Sequence, residues 1–125
     1  MSEFITVTNS EFHEVLKTDA AEGLTNWTIS QYARRGDIVW LYVTRPVMAI
    51  VAMAIVSGTP KLDQNPNSEW FGFYLADLED LVMLRVPITR ASLLQFAPTW
   101  GYWRQPRQSV QVPAEFEDKI WEIGM

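Results

Sequence analysis

The run from Ile38 to Val56 constrains this chain most, because it is apolar almost throughout and is interrupted by Arg45-Pro46. A bilayer-spanning helix needs about 20 consecutive apolar residues, and neither half reaches that length. Ile38 to Val43 is rich in β-branched and aromatic residues, which fit a pleated strand. Thr44-Arg45-Pro46 turns the chain. Val47 to Val56 is a continuous apolar run too short for most helices, so it reads as a buried strand. The two strands form a hairpin in the middle of the core.

The remaining elements follow from local signals. Glu3 to Val7 alternates weakly and reads as a strand. Asn9 and Ser10 can cap a helix over 10–18, whose apolar stripe is Phe12, Val15 and Leu16. His13 reads as a surface residue of that helix. Thr28 to Gln31 fits a capping box, which predicts a short helix over 29–35 ended by Gly36 in the left-handed C′ conformation. Residues 57–69 read as a turn and a polar loop. Trp70 to Leu75 and Leu78 to Val86 read as strands, with a bulge near Ala76-Asp77 between them. Ala91 to Phe96 is a short helix, and 97–107 a long loop punctuated by Pro and Gly. Gln108 to Val112 alternates as a strand. Pro113 suits the first turn of a terminal helix, with Phe116, Ile120 and Ile123 on one face. The result is a single α+β domain over residues 1–125, with five or six strands that curl into a small barrel and short flanking helices.

Composition excludes most ready-made chemistries. The chain has no cysteine and one histidine, which removes disulfides, thiolate sites and His-cluster metal sites and makes a Ser-His-Asp triad improbable. Its six glycines match neither a dinucleotide fingerprint nor a P-loop. No metal or cofactor is expected. The acidic cluster of Asp77, Glu79 and Asp80 lacks a His or Cys partner for catalysis. The opening residues Met1-Ser2-Glu3 carry no signal-peptide pattern, so a cytoplasmic location and no membrane partner are expected.

Charge is segregated. The net value is −5, which argues against bulk electrostatic attachment to nucleic acid. Yet no Asp or Glu occurs from Leu81 to Ala114, where Arg85, Arg90, Arg104 and Arg107 do; Arg34, Arg35 and Arg45 add a second group. The planar arginine fork suits phosphate, and its face stacks on bases.

The six tryptophans carry the functional signal. Trp40 and Trp121, like Phe73 and Phe116, fit core positions. Trp27, Trp70, Trp100 and Trp103 fall in polar or Pro/Gly-rich surroundings. Exposed indole is costly, so such positions suit a pocket that stacks a flat ligand such as a nucleobase.

Several tracts together resemble the EVE domain, of the PUA-like superfamily that also holds the YTH and ASCH domains. They are Trp27, then Gly36-Asp37 and an apolar strand ending in Tyr42, then Ala49 to Val56, Trp70 opening a strand, Val86 to Thr89 with Leu93, and Arg107 to Pro113 leading to Glu115-Phe116 and Ile120. The resemblance covers about residues 26–123. Asn26-Trp27-Thr28 also resembles the YTH segment that contributes one cage tryptophan. The family tends to carry Gly and Glu in the second hairpin strand, where this chain has Ala52 and Ile55.

The resemblance implies a PUA-like pseudo-β-barrel with a pocket at one mouth that holds a modified, for example methylated, nucleobase of DNA or RNA. Such a base has to leave its stack to be read. On this reading Trp27 and Trp70 are the cage walls, with Tyr42 and Tyr74 as further aromatic candidates. Thr28, Gln108 and Ser109 would offer polar groups, and Arg34, Arg35, Arg104 and Arg107 would contact the backbone. The function implied is a non-catalytic nucleic-acid reader. Two alternatives stand beside it: a small ribonuclease of the ASCH type, and a protein-interaction domain using an exposed loop that carries Trp100 and Trp103.

Overall fold

The hairpin forms and organises everything else; its first strand has the expected bounds, while the second begins at Ala49 rather than Val47, because Val47 and Met48 are held in the turn by bonds to Thr44 O. In a computed structural model that describes residues 2–104, 106 and 109–124, its strands are β3 (Ile38–Val43) and β4 (Ala49–Val56). They are antiparallel, with a register irregularity at Leu41/Tyr42. The other strands are β1 (Glu3–Thr8), β2 (Leu24–Thr28), β5 (Lys61–Leu62), β6 (Tyr74–Thr89) and β7 (Val110–Gln111). Helices are α1 (His13–Glu22), α2 (Arg90–Phe96) and α3 (Lys119–Gly124). None of the described helices is long and apolar enough to cross a membrane.

The hairpin sequence is apolar on both sides because both sheet faces are covered. Val39, Leu41 and Val43 join one core with Phe4, Leu16, Trp27 and Leu78. Ile38, Trp40 and Tyr42 join the other with Leu93, Trp103 and Ile120. Successive strand residues point to opposite faces, so a strand buried on both sides shows no alternation. Trp40 donates its indole N–H to the Glu3 carboxylate at 2.9 Å, and Trp121 packs edge-on against it.

The expected barrel does not close. The strands form one open, seven-stranded sheet in the order β2-β6-β4-β3-β1-β7, with β5 paired to β6. β1 runs parallel to β3, and β7 occupies its other edge at Phe4 and Ile5. β2 pairs only with β6 among the described residues, so no ladder joins it to β1. A side chain spans the gap instead: the buried Thr6 hydroxyl donates to the Thr28 carbonyl at 2.7 Å. The Ser109 hydroxyl donates to Thr6 Oγ1 at 3.1 Å.

Other expectations need correction. Residues 24–28, given no element from the sequence, are a strand that carries Trp27. The helix predicted over 29–35 is absent. Ile29 N–H bonds Tyr74 O and continues the sheet contact, while Ala33 N–H and Asp37 N–H close turns on Ser30 O and Arg34 O. The buried Asp37 carboxylate takes the N–H groups of Ser2 and Arg34, at 3.0 and 2.8 Å. Side-chain and tertiary bonds thus override the capping signal. Gly36 is still required in the left-handed region, at φ 89°, but it feeds β3 and caps no helix. The first helix runs past residue 18 to Glu22 and ends at Gly23, φ 76°. The two strands expected between Trp70 and Val86 are one, β6, and Trp70–Phe73 form a turn before it. The pairing of β6 with β4 is irregular at two places, around Asp80, φ 51°, and between Met83 and Ile88, rather than at Ala76-Asp77.

Candidate functional site

The seam between β1 and β2 opens into a cavity of about 510 Å³, a size typical of small-molecule sites. The end of β1 supplies Val7, Thr8 and Asn9. α1 and the turn before it supply Phe12, Val15 and Asp19. β2 supplies Thr25, Asn26, Trp27 and Thr28, and the far wall is Trp70, Phe73 and Leu75. Trp27 and Trp70 therefore face one space. The Phe12 ring connects them, edge-on to Trp27 at 6.3 Å between centroids and tilted against Trp70 at 5.5 Å.

The walls differ in rigidity. Trp27 is 8% exposed and belongs to the core, while Trp70 is half-buried on a turn. That turn is tied by Asp63, which accepts from the Ser68 hydroxyl at 2.6 Å and the Asn65 N–H at 3.0 Å. These bonds hold the Asp63 carboxyl below its usual pKa. Phe73 departs from its predicted core position; it is 55% exposed at the cavity rim, because the turn ends before β6 begins. Polar side chains also line the cavity. Thr25 donates to Asp19 at 2.7 Å, and Asn26 donates to Asp77 at 2.9 Å. The Thr28 and Thr8 hydroxyls bind no other described residue.

A wide groove of about 680 Å³ continues from the same wall. It shares Asn26, Trp70 and Leu75 with the cavity and adds Arg35 and Lys61. Arg34 is exposed beside Arg35, with its backbone N–H on Asp37.

The remaining candidates disperse. Tyr42 does not line this cavity; it points to the opposite core, where its ring tilts against Trp103 at 5.6 Å. It lines a separate pocket with Arg104. Burial raises the Tyr42 pKa, and the nearby Arg90 charge partly offsets that rise. Tyr74 opens β6 and lies outside the cavity wall. Ser109 braces the seam through Thr6. Gln108 and Arg107 lie outside the described residues.

Trp103 is fully buried, and Trp100 stacks on Tyr102 and Phe116 at 5.6 and 5.3 Å. Burial raises the Tyr102 pKa as well. The Trp100–Trp103 segment is a plug on the sheet, so it is not the exposed aromatic loop that a protein-docking role requires.

Sequence reading missed Phe12 and Asn9. Phe12 sits on an apolar helical stripe, where core packing explains it without a ligand. Asn9 has the signature of a cap, but it makes no capping bond and its amide donates to Glu11 at 3.1 Å. Nothing in the local sequence marks either residue as a cavity wall.

No protein-family model and no curated protein matches the chain. Solved structures do match over nearly its full length. A Pseudomonas syringae protein superposes with a TM-score of 0.79 at 13% identity, covering 98% of this chain and 99% of the other. Human THYN1, solved in complex with 5-methylcytosine-containing DNA, gives a TM-score of 0.72 at 14% identity, with 99% and 98% covered. A mutant of the ZmASCH protein from Zymomonas mobilis gives 0.67 at 14% identity, with both chains fully covered. At these identities the likeness shows the fold, which is the PUA-like one, with its sheet open.

Proposed function

We propose that this protein is a non-catalytic nucleic-acid reader that holds one modified, most simply methylated, nucleobase in the cavity at the β1–β2 seam. The observation that carries this reading is the convergence of Trp27, Trp70 and Phe12 on one 510 Å³ space that polar side chains also line. A flat base meets aromatic faces worth about 1–3 kcal/mol of stacking. A methyl group adds apolar surface that such walls shield from water. Thr28, Thr8 and Asn9 offer hydroxyl and amide groups to the base edge, which supplies discrimination. Arg35 and Lys61 in the adjoining groove, with Arg34 beside them, suit the strand backbone. The THYN1 complex supports the reading through its fold alone.

The test is calorimetric titration with oligonucleotides carrying 5-methylcytosine or N6-methyladenine, as DNA and RNA, against unmodified controls. One methylated member should bind at least 10-fold tighter than its control, and Trp70→Ala should abolish that preference. Equal affinity for all members, or a preference unchanged in Trp70→Ala, would refute it. Ribonuclease activity is the competing assignment for the fold. Intact RNA after incubation with divalent cations would count against it, and cleavage would favour it.

A further inference from the structure

The second pocket, of about 370 Å³, is lined by Tyr42, Thr44, Arg45, Met48, Arg90, Arg104 and Pro106. Three arginines thus converge on one small concavity of a chain whose net charge is −5. Among the described residues none of the three pairs with a carboxylate; the ion pair found there is Lys17–Glu14. Like charges brought together without a counter-ion repel one another, and a bound anion relieves that.

The backbone builds this cluster. Arg90 N–H bonds Met48 O at 2.9 Å, which ties the start of α2 to the hairpin turn that carries Arg45. The Arg90 guanidinium donates to Arg104 O at 2.6 Å, which ties both to the 3-10 segment Gly101–Arg104. One of its five N–H donors is used there, and the rest are available. The Tyr42 hydroxyl adds a donor with no bond to another described residue. Donors in this arrangement match a phosphate, which arginine binds in bidentate fashion.

The pocket is also adjacent to the aromatic cavity. Thr44 N–H bonds Thr8 O at 2.9 Å, and Thr8 lines the cavity while Thr44 lines the arginine pocket. Val7 and Tyr42, register partners on β1 and β3, divide in the same way. The two concavities flank the paired ends of two strands.

We propose that the arginine pocket seats a backbone phosphate of the same strand whose base enters the aromatic cavity. This rests on the base-reading function above. Arg90 and Arg104 grip the phosphate, Arg45 closes over it, and Tyr42 donates from beneath.

The test measures affinity against salt for a single-stranded oligonucleotide carrying the preferred methylated base, with the free methylated nucleoside as a phosphate-free probe. The double variant Arg90→Gln/Arg104→Gln should bind the oligonucleotide at least 10-fold more weakly. Its slope of log K against log salt should become shallower by about 0.7 for each phosphate that the variant no longer neutralises. Nucleoside binding should stay unchanged. Unaltered oligonucleotide affinity and slope would overturn the proposal and leave the base-reading function standing. If neither probe binds the wild type, that function fails, and inorganic phosphate decides the pocket. Phosphate-induced shifts of the Arg45, Arg90 and Arg104 Nε–H resonances in NMR would retain the phosphate chemistry and overturn its nucleic-acid source. No shift would overturn both.

Discussion

Thr6 donates its hydroxyl proton to the Thr28 carbonyl at 2.7 Å and so joins β1 to β2 where no strand ladder does. A ladder at this seam would have filled the space that the aromatic cavity occupies. The hydroxyl bridges the two edges beside a cavity that residues of both strands line. Thr6→Val retains the shape and removes the donor, which strands a partly buried carbonyl and the Ser109 hydroxyl. The expected cost is about 1–3 kcal/mol, read as a lower urea midpoint at unchanged m-value. A midpoint equal to wild type would show that the bond does not hold the seam.

Trp27 and Trp70 should separate stability from binding. Trp27 is buried in the core, so Trp27→Ala is expected to cost about 3–5 kcal/mol of folding stability along with binding. Trp70 sits half-buried on a turn held by its own hydrogen bonds. Trp70→Ala should leave the urea midpoint close to wild type and weaken base binding by about 1–3 kcal/mol. Large destabilisation by Trp70→Ala would assign it to the core instead.

Gly36 tests the turn that replaces the predicted helix. Its φ of 89° suits glycine, and an added Cβ would meet no atom within 4 Å. Gly36→Ala therefore incurs backbone strain without a clash, about 1–2 kcal/mol. Thermal denaturation should register that loss while ligand affinity stays unchanged.

High pH should destabilise the fold partly through Tyr42. Burial raises its folded pKa above the ordinary value of 10.0. The unfolded chain therefore releases this proton first. Stability is unaffected below about pH 10 and falls as pH rises from there through the folded pKa. Tyr42→Phe removes this contribution, so its stability should decline less steeply above pH 10 than that of wild type. Parallel declines would contradict the assignment.

The sequence exposed the hairpin, β1 and α2 because each is specified locally. Apolar runs mark β3 and β4, and Thr89 caps α2 by accepting from Ser92 N–H. It hid what tertiary contacts decide. Leu24–Thr28 has three exposed or half-exposed polar residues and no apolar alternation, so β2 exists through pairing with β6. Thr28 to Gln31 has capping-box chemistry, but Ile29 and Ala33 are drawn into the core and no helix forms. Trp27, Thr28 and Trp70 were legible as a group through family resemblance. Phe12, which joins the two indoles, was not, since an apolar helical residue looks the same whether it faces a core or a cavity. Tyr42 was misplaced for a related reason: a strand aromatic can serve either sheet face, and the register sends it to the face opposite Trp27.

The central claim is that a methylated base lies between Phe12, Trp27 and Trp70. Its most direct test is an NMR experiment on the complex with an oligonucleotide whose base carries a ¹³C-labelled methyl group. Nuclear Overhauser contacts from that methyl to the rings of Trp27, Trp70 and Phe12 are expected, with an upfield ring-current shift. Contacts to Tyr42 and the arginine pocket instead, or an unshifted methyl without protein contacts, would contradict it.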